Sequence, residues 1–316
     1  MASASVRLPN FFLAGVAKSG TTALSYYLDQ HPQVFMSPIK EPWFFGVADL
    51  LSPPYDDRVV TELQRDRAWL QQYLEGPQEP GTWRYVMEWD DYVRLFRDVR
   101  DEPVIGEAST GYFWMPSAAR AIRAKLPDAR FAFMLRDPAE RLFTLYVLAL
   151  SRHPRRVAFR DWFQETLEAP QLWPSIVGAG RYATHLQRFF DTWPRDRLRI
   201  YLYDDYRADP RALLRDLFAF LGVQPDYPID LSRRHNETLV PRFPRLHALR
   251  RRGLGGELLT RWLPEGARRA LRRLYRRRRA EFVMDPTDRR MVVDYYRGEI
   301  ERTADLIGRD LSPWLS

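Results

Sequence analysis

The chain contains no cysteine, which excludes disulfides, thiolate metal ligands and a cysteine nucleophile and agrees with a reducing, cytoplasmic setting. No apolar run reaches the about eighteen residues that a membrane-crossing helix needs. The first residues carry one arginine and then an apolar stretch interrupted by Pro9, Asn10 and Lys18, which does not match a secretory leader. Histidine is scarce, and His31, His153, His185 and His247 show no metal-ligand spacing, so no metal is expected. No internal repeat of the solenoid type is present.

What the chain does have is ordinary globular content, 45% hydrophobic and 28% charged, which is enough to build a core over 316 residues. A single domain over 1–316 is expected, with a loop-rich, acceptor-side insertion at about 50–100 and a basic helical segment at about 250–280. The net charge of +8 is unevenly placed. Arg250 to Ala280 holds twelve arginines against Glu257 and Glu265, a local excess larger than that of the whole chain. A protein that tracks a nucleic-acid backbone spreads positive charge over a binding face, so no nucleic-acid partner is expected. The arginines of 267–280 flank Leu271, Leu274 and Tyr275, which fits a solvated helix face or weak contact with an acidic partner or membrane surface.

Short apolar runs bounded by turn residues mark strands at "FFLAGV", around Val104 to Glu107, Phe131 to Leu135 and Leu198 to Tyr203. Helical spacing separates or follows them over Ser117 to Leu126, Ala139 to Ser151, Arg181 to Trp193, Asp209 to Leu221 and Thr287 to Ile307. Strands alternating with helices predict an α/β fold, a central parallel sheet flanked by helices. Leu50 to Arg100 reads as loops and short helices over one sheet edge, where a substrate can sit.

"GVAKSGTTAL" follows the first strand and opens a helix. The first backbone N–H groups of a helix lack intrahelical partners and carry the positive end of its dipole, so such a junction binds anions. Gly15 and Gly20 permit close approach, Lys18 adds a charge, and Thr21 and Thr22 add hydroxyls. A plain glycine turn with a threonine cap fits the same string. The nucleotide-triphosphatase loop places lysine directly after its second glycine, whereas Lys18 precedes Gly20 by two residues. A Mg²⁺-dependent kinase is weakened accordingly.

"GVAKSGTTAL" followed by "QHPQVFMSPIKEPWFF", then "GEASTGYF", "FMLRDPAERLFTLY", "DRLRIYLYDDYRADPRALLRDLFAFLGV" and "GRDLSPWL" resembles the sulfotransferases that use 3′-phosphoadenosine 5′-phosphosulfate (PAPS), in the branch of the heparan sulfate sulfotransferases and their bacterial relatives. The resemblance covers most of the chain and implies a P-loop-like sulfotransferase fold with a strand-loop-helix phosphosulfate loop. It implies that Lys18, Ser19, Gly20, Thr21 and Thr22 hold the donor's 5′ end, Lys18 also stabilising the leaving group. Arg136, with a hydroxyl eight positions later, grips the 3′-phosphate. That hydroxyl belongs to Thr144, where the family has serine. Arg242 is a further 3′-phosphate candidate, in the loop after "RRHN" at His235 and Asn236. Arg136 can instead pair with a nearby carboxylate, and Thr144 can bond back to its own helix.

Glu41 in "KEPWFF" matches the residue that takes the acceptor's proton. Burial among aromatic neighbours raises a carboxyl pKa and suits a base near neutral pH. Pairing with Lys40 at the surface is the alternative. Relatives often have histidine where this chain has Trp43, which implies a flatter, more apolar acceptor surface. Glu107, Ser109, Thr110 and Tyr112 lie at a strand end, facing the acceptor or orienting the loop, with no catalytic role assigned. The reaction implied is sulfuryl transfer to a hydroxyl, or less readily an amine, of a glycan, lipid or secondary metabolite. A nucleotide or small-molecule kinase and a basic binding module are the competing readings.

Overall fold

The opening apolar run forms strand β1 (Phe11–Gly15), with all five residues buried, as a parallel strand covered on both faces requires. The computed structural model describes residues 6–52, 61, 66, 70, 74, 85–150, 157–170, 174–232, 239–241, 276–278 and 282–316. After β1 come α1 (Thr21–Asp29), β2 (Val34–Met36), the short α2 (Val47–Leu50), α3 (Trp89–Arg94) and β3 (Val104–Ala108). Next are α4 (Ala118–Lys125), β4 (Arg130–Leu135), α5 (Pro138–Leu150), α6 (Phe159–Glu168), α7 (Tyr182–Thr192) and β5 (Leu198–Leu202). The chain continues through α8 (Tyr203–Ala208), α9 (Pro210–Leu221), β6 (Leu239–Pro241), β7 (Arg276–Arg278) and α10 (Pro286–Ile307).

Five parallel strands form one sheet in the order β2, β3, β1, β4, β5. Phe11 lies opposite Gly106 of β3 on one side and Arg130 of β4 on the other. The chain leaves β1 for β2 and β3 on one flank and then crosses to β4 and β5 on the other. Ligands in open α/β sheets gather outside the strand C-termini at such a reversal, here beyond the ends of β3, β1 and β4.

Strand alternation splits the core into two layers. Phe11 and Leu13 face Leu24 and Leu28 of α1 and Leu217 of α9, while Phe12 and Ala14 face the layer containing Ile122, Leu142, Phe189 and Tyr296. Phe11 and Phe12 are fully buried, so truncating either to alanine costs about 3–5 kcal/mol. Asp209 caps α9 by accepting from the N–H groups of Arg211 and Ala212, both at 3.0 Å, with Pro210 at the first helical position. Proline there forfeits no helical hydrogen bond.

The strands and helices expected from periodicity are all present within a residue or two at their ends. Helices α6 and α8 lie where no element was read, and two short strands also differ from expectation. Val34–Met36 pairs with β3 as an edge strand, and its three residues are too few to show a period. Arg276–Arg278 pairs antiparallel with Leu239–Pro241, where a basic helix was expected. There the neighbouring strand, rather than the next helical turn, supplies the backbone hydrogen bonds. The rest of the arginine-rich segment, most of 50–84, His235, Asn236 and Arg242 lie outside the described residues.

Candidate active site

The loop after β1 reaches α1 through Lys18 at φ 70° and Gly20 at φ 87°. The left-handed region at Gly20 favours glycine, and a Cβ there would also lie 3.1 Å from the ring of Tyr203. Gly20 occupies the N-cap position, and no side chain caps α1 among the described residues. The threonine-capped turn is therefore not what forms, and the first-turn N–H groups keep no side-chain acceptor. Ser19 is fully buried, and its Oγ has no hydrogen-bond partner among the described residues. A buried hydroxyl left unpaired costs about 1–3 kcal/mol. Its position beside an uncapped helix start fits an anion that would supply the missing acceptor.

Arg136, at the end of β4, donates through Nη1 to the carbonyl of Lys18 at 2.9 Å and through Nη2 to Glu140 at 3.3 Å. Its guanidinium stacks 4.8 Å from the centre of the Tyr203 ring. It thus both braces the loop and pairs with a carboxylate. Thr144, in α5, is buried and donates to the carbonyl of Glu140 at 2.8 Å, the back-bonded arrangement available to any helical threonine. The C-terminal segment docks on the same edge. Arg309 makes two 3.0 Å bonds to Asp205, and Trp314 Nε1 donates to Asp204 at 3.3 Å.

On the opposite flank, the chain runs alongside β3 beyond β2, with Ser37 N donating to the carbonyl of Gly106 and Glu41 N to that of Ala108. Glu41 and Trp43 then adopt left-handed φ values of 61° and 53°, a conformation that costs a non-glycine residue free energy and persists only where surroundings enforce it. Glu41 is 2% exposed. Its Oε2 accepts from Thr110 N at 2.7 Å and from Trp43 Nε1 at 2.7 Å. Its Oε1 accepts from Lys40 Nζ at 3.1 Å and Thr110 Oγ1 at 3.1 Å. The expected burial is realised, and Lys40 pairs with the carboxylate there rather than at the surface as the alternative had it. Trp43 is more than a flat wall, because its indole N–H fixes the carboxylate.

Lys40 joins the two sides. The same ammonium donates to Thr22 Oγ1 at 3.0 Å, so one cation spans the first turn of α1 and the Glu41 carboxylate. Thr22 keeps its own hydroxyl hydrogen to donate. Adjacent charge in the sequence hinted at the Lys40–Glu41 pair but not at this bridge.

Behind Glu41 lies a second carboxylate, Glu107, at the end of β3 and fully buried. It accepts from Ser109 Oγ, from Tyr92 Oη at 2.5 Å and from Tyr112 Oη at 3.3 Å. Burial pushes its carboxyl up to about 7, hydrogen bonds from Ser109, Tyr92 and Tyr112 oppose the rise, and nearby Glu41 adds to it. Of the "GEASTGY" polar residues, Thr110 meets Glu41 while Glu107, Ser109 and Tyr112 turn inward. Tyr92 arrives from the segment read as loops and short helices, and no local pattern announced it.

With this geometry in place, the decisive match is a family model described as "Sulfotransferase family", which covers residues 9–227. The chain belongs to the sulfotransferase family. It is similar to the human bifunctional heparan sulfate N-deacetylase/N-sulfotransferase 2, 26% identical over 320 residues that cover 98% of this chain and 31% of that protein. It thus spans about a third of the length of this curated relative. A membrane-associated sulfotransferase of Dictyostelium discoideum is 31% identical over 139 residues, 44% of this chain and 22% of that one. A sulfotransferase crystal structure from Alicyclobacillus acidocaldarius superposes with a TM-score of 0.70 at 26% identity, covering 98% of this chain and all of that one. The P-loop-like sulfotransferase fold is therefore established, with the uncapped loop at its expected place. Among the described residues, no helix is long and apolar enough to cross a membrane, and no cluster of three or more metal-binding side chains occurs.

Proposed function

We propose that this sulfotransferase-family chain transfers a sulfuryl group from PAPS to an acceptor hydroxyl, with an amine acceptor as the less favoured case. The observation that carries the reading is the Lys40 bridge, which puts a buried carboxylate one ammonium away from a helix start and a neighbouring hydroxyl that have no cap and no partner among the described residues. Ser19, Gly20, Thr21 and Thr22 would hold the 5′-phosphate, Lys18 would meet charge on the departing oxygen, and Arg136 and Thr144 would flank the 3′-phosphate, with Arg242 as a further contact. The donor supplies the activated sulfur–oxygen bond. As the acceptor oxygen–sulfur bond forms and the bond to the 5′-phosphate oxygen breaks, the acceptor's proton passes to Glu41 and adenosine 3′,5′-bisphosphate leaves.

The oxygens of Glu41 are held unequally. Oε2 is pinned by a backbone and an indole N–H, Thr110 Oγ1 is shared between the two oxygens at 3.1 and 3.2 Å, and the remaining partner of Oε1 is the flexible Lys40 ammonium. Oε1 is therefore the atom assigned to take the proton. Positioning and charge stabilisation supply most of the catalysis in such loose in-line transfers. On the acceptor side, Trp43 packs edge to face against Tyr85 at 5.3 Å and Trp114 at 6.1 Å, an aromatic wall suited to the flat face of a sugar or other ring. The reading is tested by incubating the protein with sulfur-labelled PAPS and a panel of glycan, lipid and metabolite hydroxyls together with glycan amines. Calorimetry accompanies it, comparing adenosine 3′,5′-bisphosphate without metal against ATP with Mg²⁺. Label transfer with preference for the bisphosphate is expected; preference for ATP with Mg²⁺ would overturn the assignment in favour of a kinase.

A further inference from the structure

Ser109 and Tyr112 each own one hydroxyl hydrogen. An ionised carboxylate only accepts, so Glu107 draws the hydrogens of Ser109, Tyr112 and Tyr92 toward itself. The lone pairs of Ser109 and Tyr112 then face outward, where they accept from the backbone N–H groups of Trp43 at 3.4 Å and Phe45 at 3.3 Å. Those two N–H groups belong to the segment in which Glu41 and Trp43 hold left-handed backbone. We propose that Glu107 is a positioning residue whose ionised carboxylate directs these hydroxyls and so holds the Glu41–Phe45 segment in its working conformation.

A proton on Glu107 changes the pattern. The new O–H can be taken by Tyr92 Oη, which faces neither backbone N–H; taken by Ser109 or Tyr112, it turns that hydroxyl's own hydrogen outward against Trp43 N or Phe45 N. In the latter case two donors face each other, and the strained segment loses a support. The groups facing Glu107 are Tyr92 from α3, Ser109 and Tyr112 from the end of β3, and Glu41 from the segment itself, with Lys40 on the far side of Glu41. The raised pKa of Glu107, about 7, brings this change within the neutral range. The inference rests on the reading of Glu41 as the base.

The Trp43 indole N–H, bonded to Glu41, reports on the segment without any need for turnover. Its ¹⁵N–¹H resonance, assigned through its loss in Trp43→Phe, is followed between about pH 5.5 and 8.5. The wild type should show a step near Glu107's pKa of about 7. Glu107→Gln should abolish it and Glu41→Gln should retain it; a flat wild-type profile, or a step that survives Glu107→Gln, would overturn the proposal. If Glu107→Gln does not fold, Tyr92→Phe decides, because losing a donor to the ionised form should move the step upward by about half a unit or more, and an unmoved step counts against it. Turnover separates the two layers of inference. Undiminished transfer by Glu41→Gln sinks the base reading whatever the resonance does, whereas a missing step sinks only the role of Glu107.

Discussion

The two loops that face each other across the C-terminal edge of the sheet use their polar groups in opposite ways. Between β1 and α1, the helix start has no side-chain cap and Ser19 Oγ has no partner among the described residues. Between Ser37 and Phe45, the carboxylate of Glu41 receives four donors and the backbone N–H groups of Glu41, Trp43 and Phe45 are all bonded. A site for a bound anion must leave donors vacant until the anion arrives, while a proton acceptor must be aimed before the substrate comes. Vacancy on one side and saturation on the other are what a donor half and an acceptor half require.

Four substitutions break or sharpen that contrast. Lys18→Ala, in the loop between β1 and α1, should slow transfer by about 10²–10³-fold, the effect of removing one preorganised charge-stabilising donor; a loss under about fivefold would place the lysine outside the reaction. Glu41→Gln, on the saturated side, should slow turnover by about 10²-fold while leaving bisphosphate affinity, read by calorimetry, within about twofold. A parallel fall in affinity would show that the halves act as one unit. Ser19→Ala should weaken bisphosphate binding by about tenfold and yet stabilise the ligand-free protein to denaturant by about 1 kcal/mol, since it deletes an unsatisfied buried hydroxyl. A destabilised alanine variant would mean the hydroxyl already has a partner.

The smallest effect concerns Glu107 and pH. Its folded pKa, about 7, lies above the ordinary 4.5, so between those values the native state holds a proton that the unfolded chain releases. Its contribution to stability is complete below the lower value and is lost as pH rises through the upper one, about 3 kcal/mol in all. About 1 kcal/mol of this falls between roughly pH 6 and 8. Denaturation at those two pH values should show the wild type losing that much relative to Glu107→Gln, and equal losses would contradict the burial argument. The ionised form that holds the Glu41 segment is thus also the less stable one, a trade familiar where stability yields to function.

Much of this was legible in the residues. Continuous apolar runs announced β1, β3, β4 and β5, and Asp209–Pro210 and Gly222 bracket α9 as a cap, a first-turn proline and a left-handed terminus should. The strand-to-helix loop between β1 and α1 was legible because it is contiguous. Properties that depend on distant pairing were hidden. Glu41 reads as a surface partner of Lys40 until β3 and Thr110 enclose it, and nothing near Glu107 in the chain announces Tyr92. The edge strand β2 exists because β3 offers a ladder, and the antiparallel pairing of Arg276–Arg278 likewise has its cause in another segment.

The most direct test is a crystal structure of the protein with adenosine 3′,5′-bisphosphate. The 5′-phosphate should lie within hydrogen-bond reach of Ser19 Oγ and the N–H groups of Gly20, Thr21 and Thr22, with Lys40 between it and Glu41. A nucleotide bound elsewhere, or a Ser19 hydroxyl still unpartnered in the complex, would contradict the assignment of this loop as the donor site.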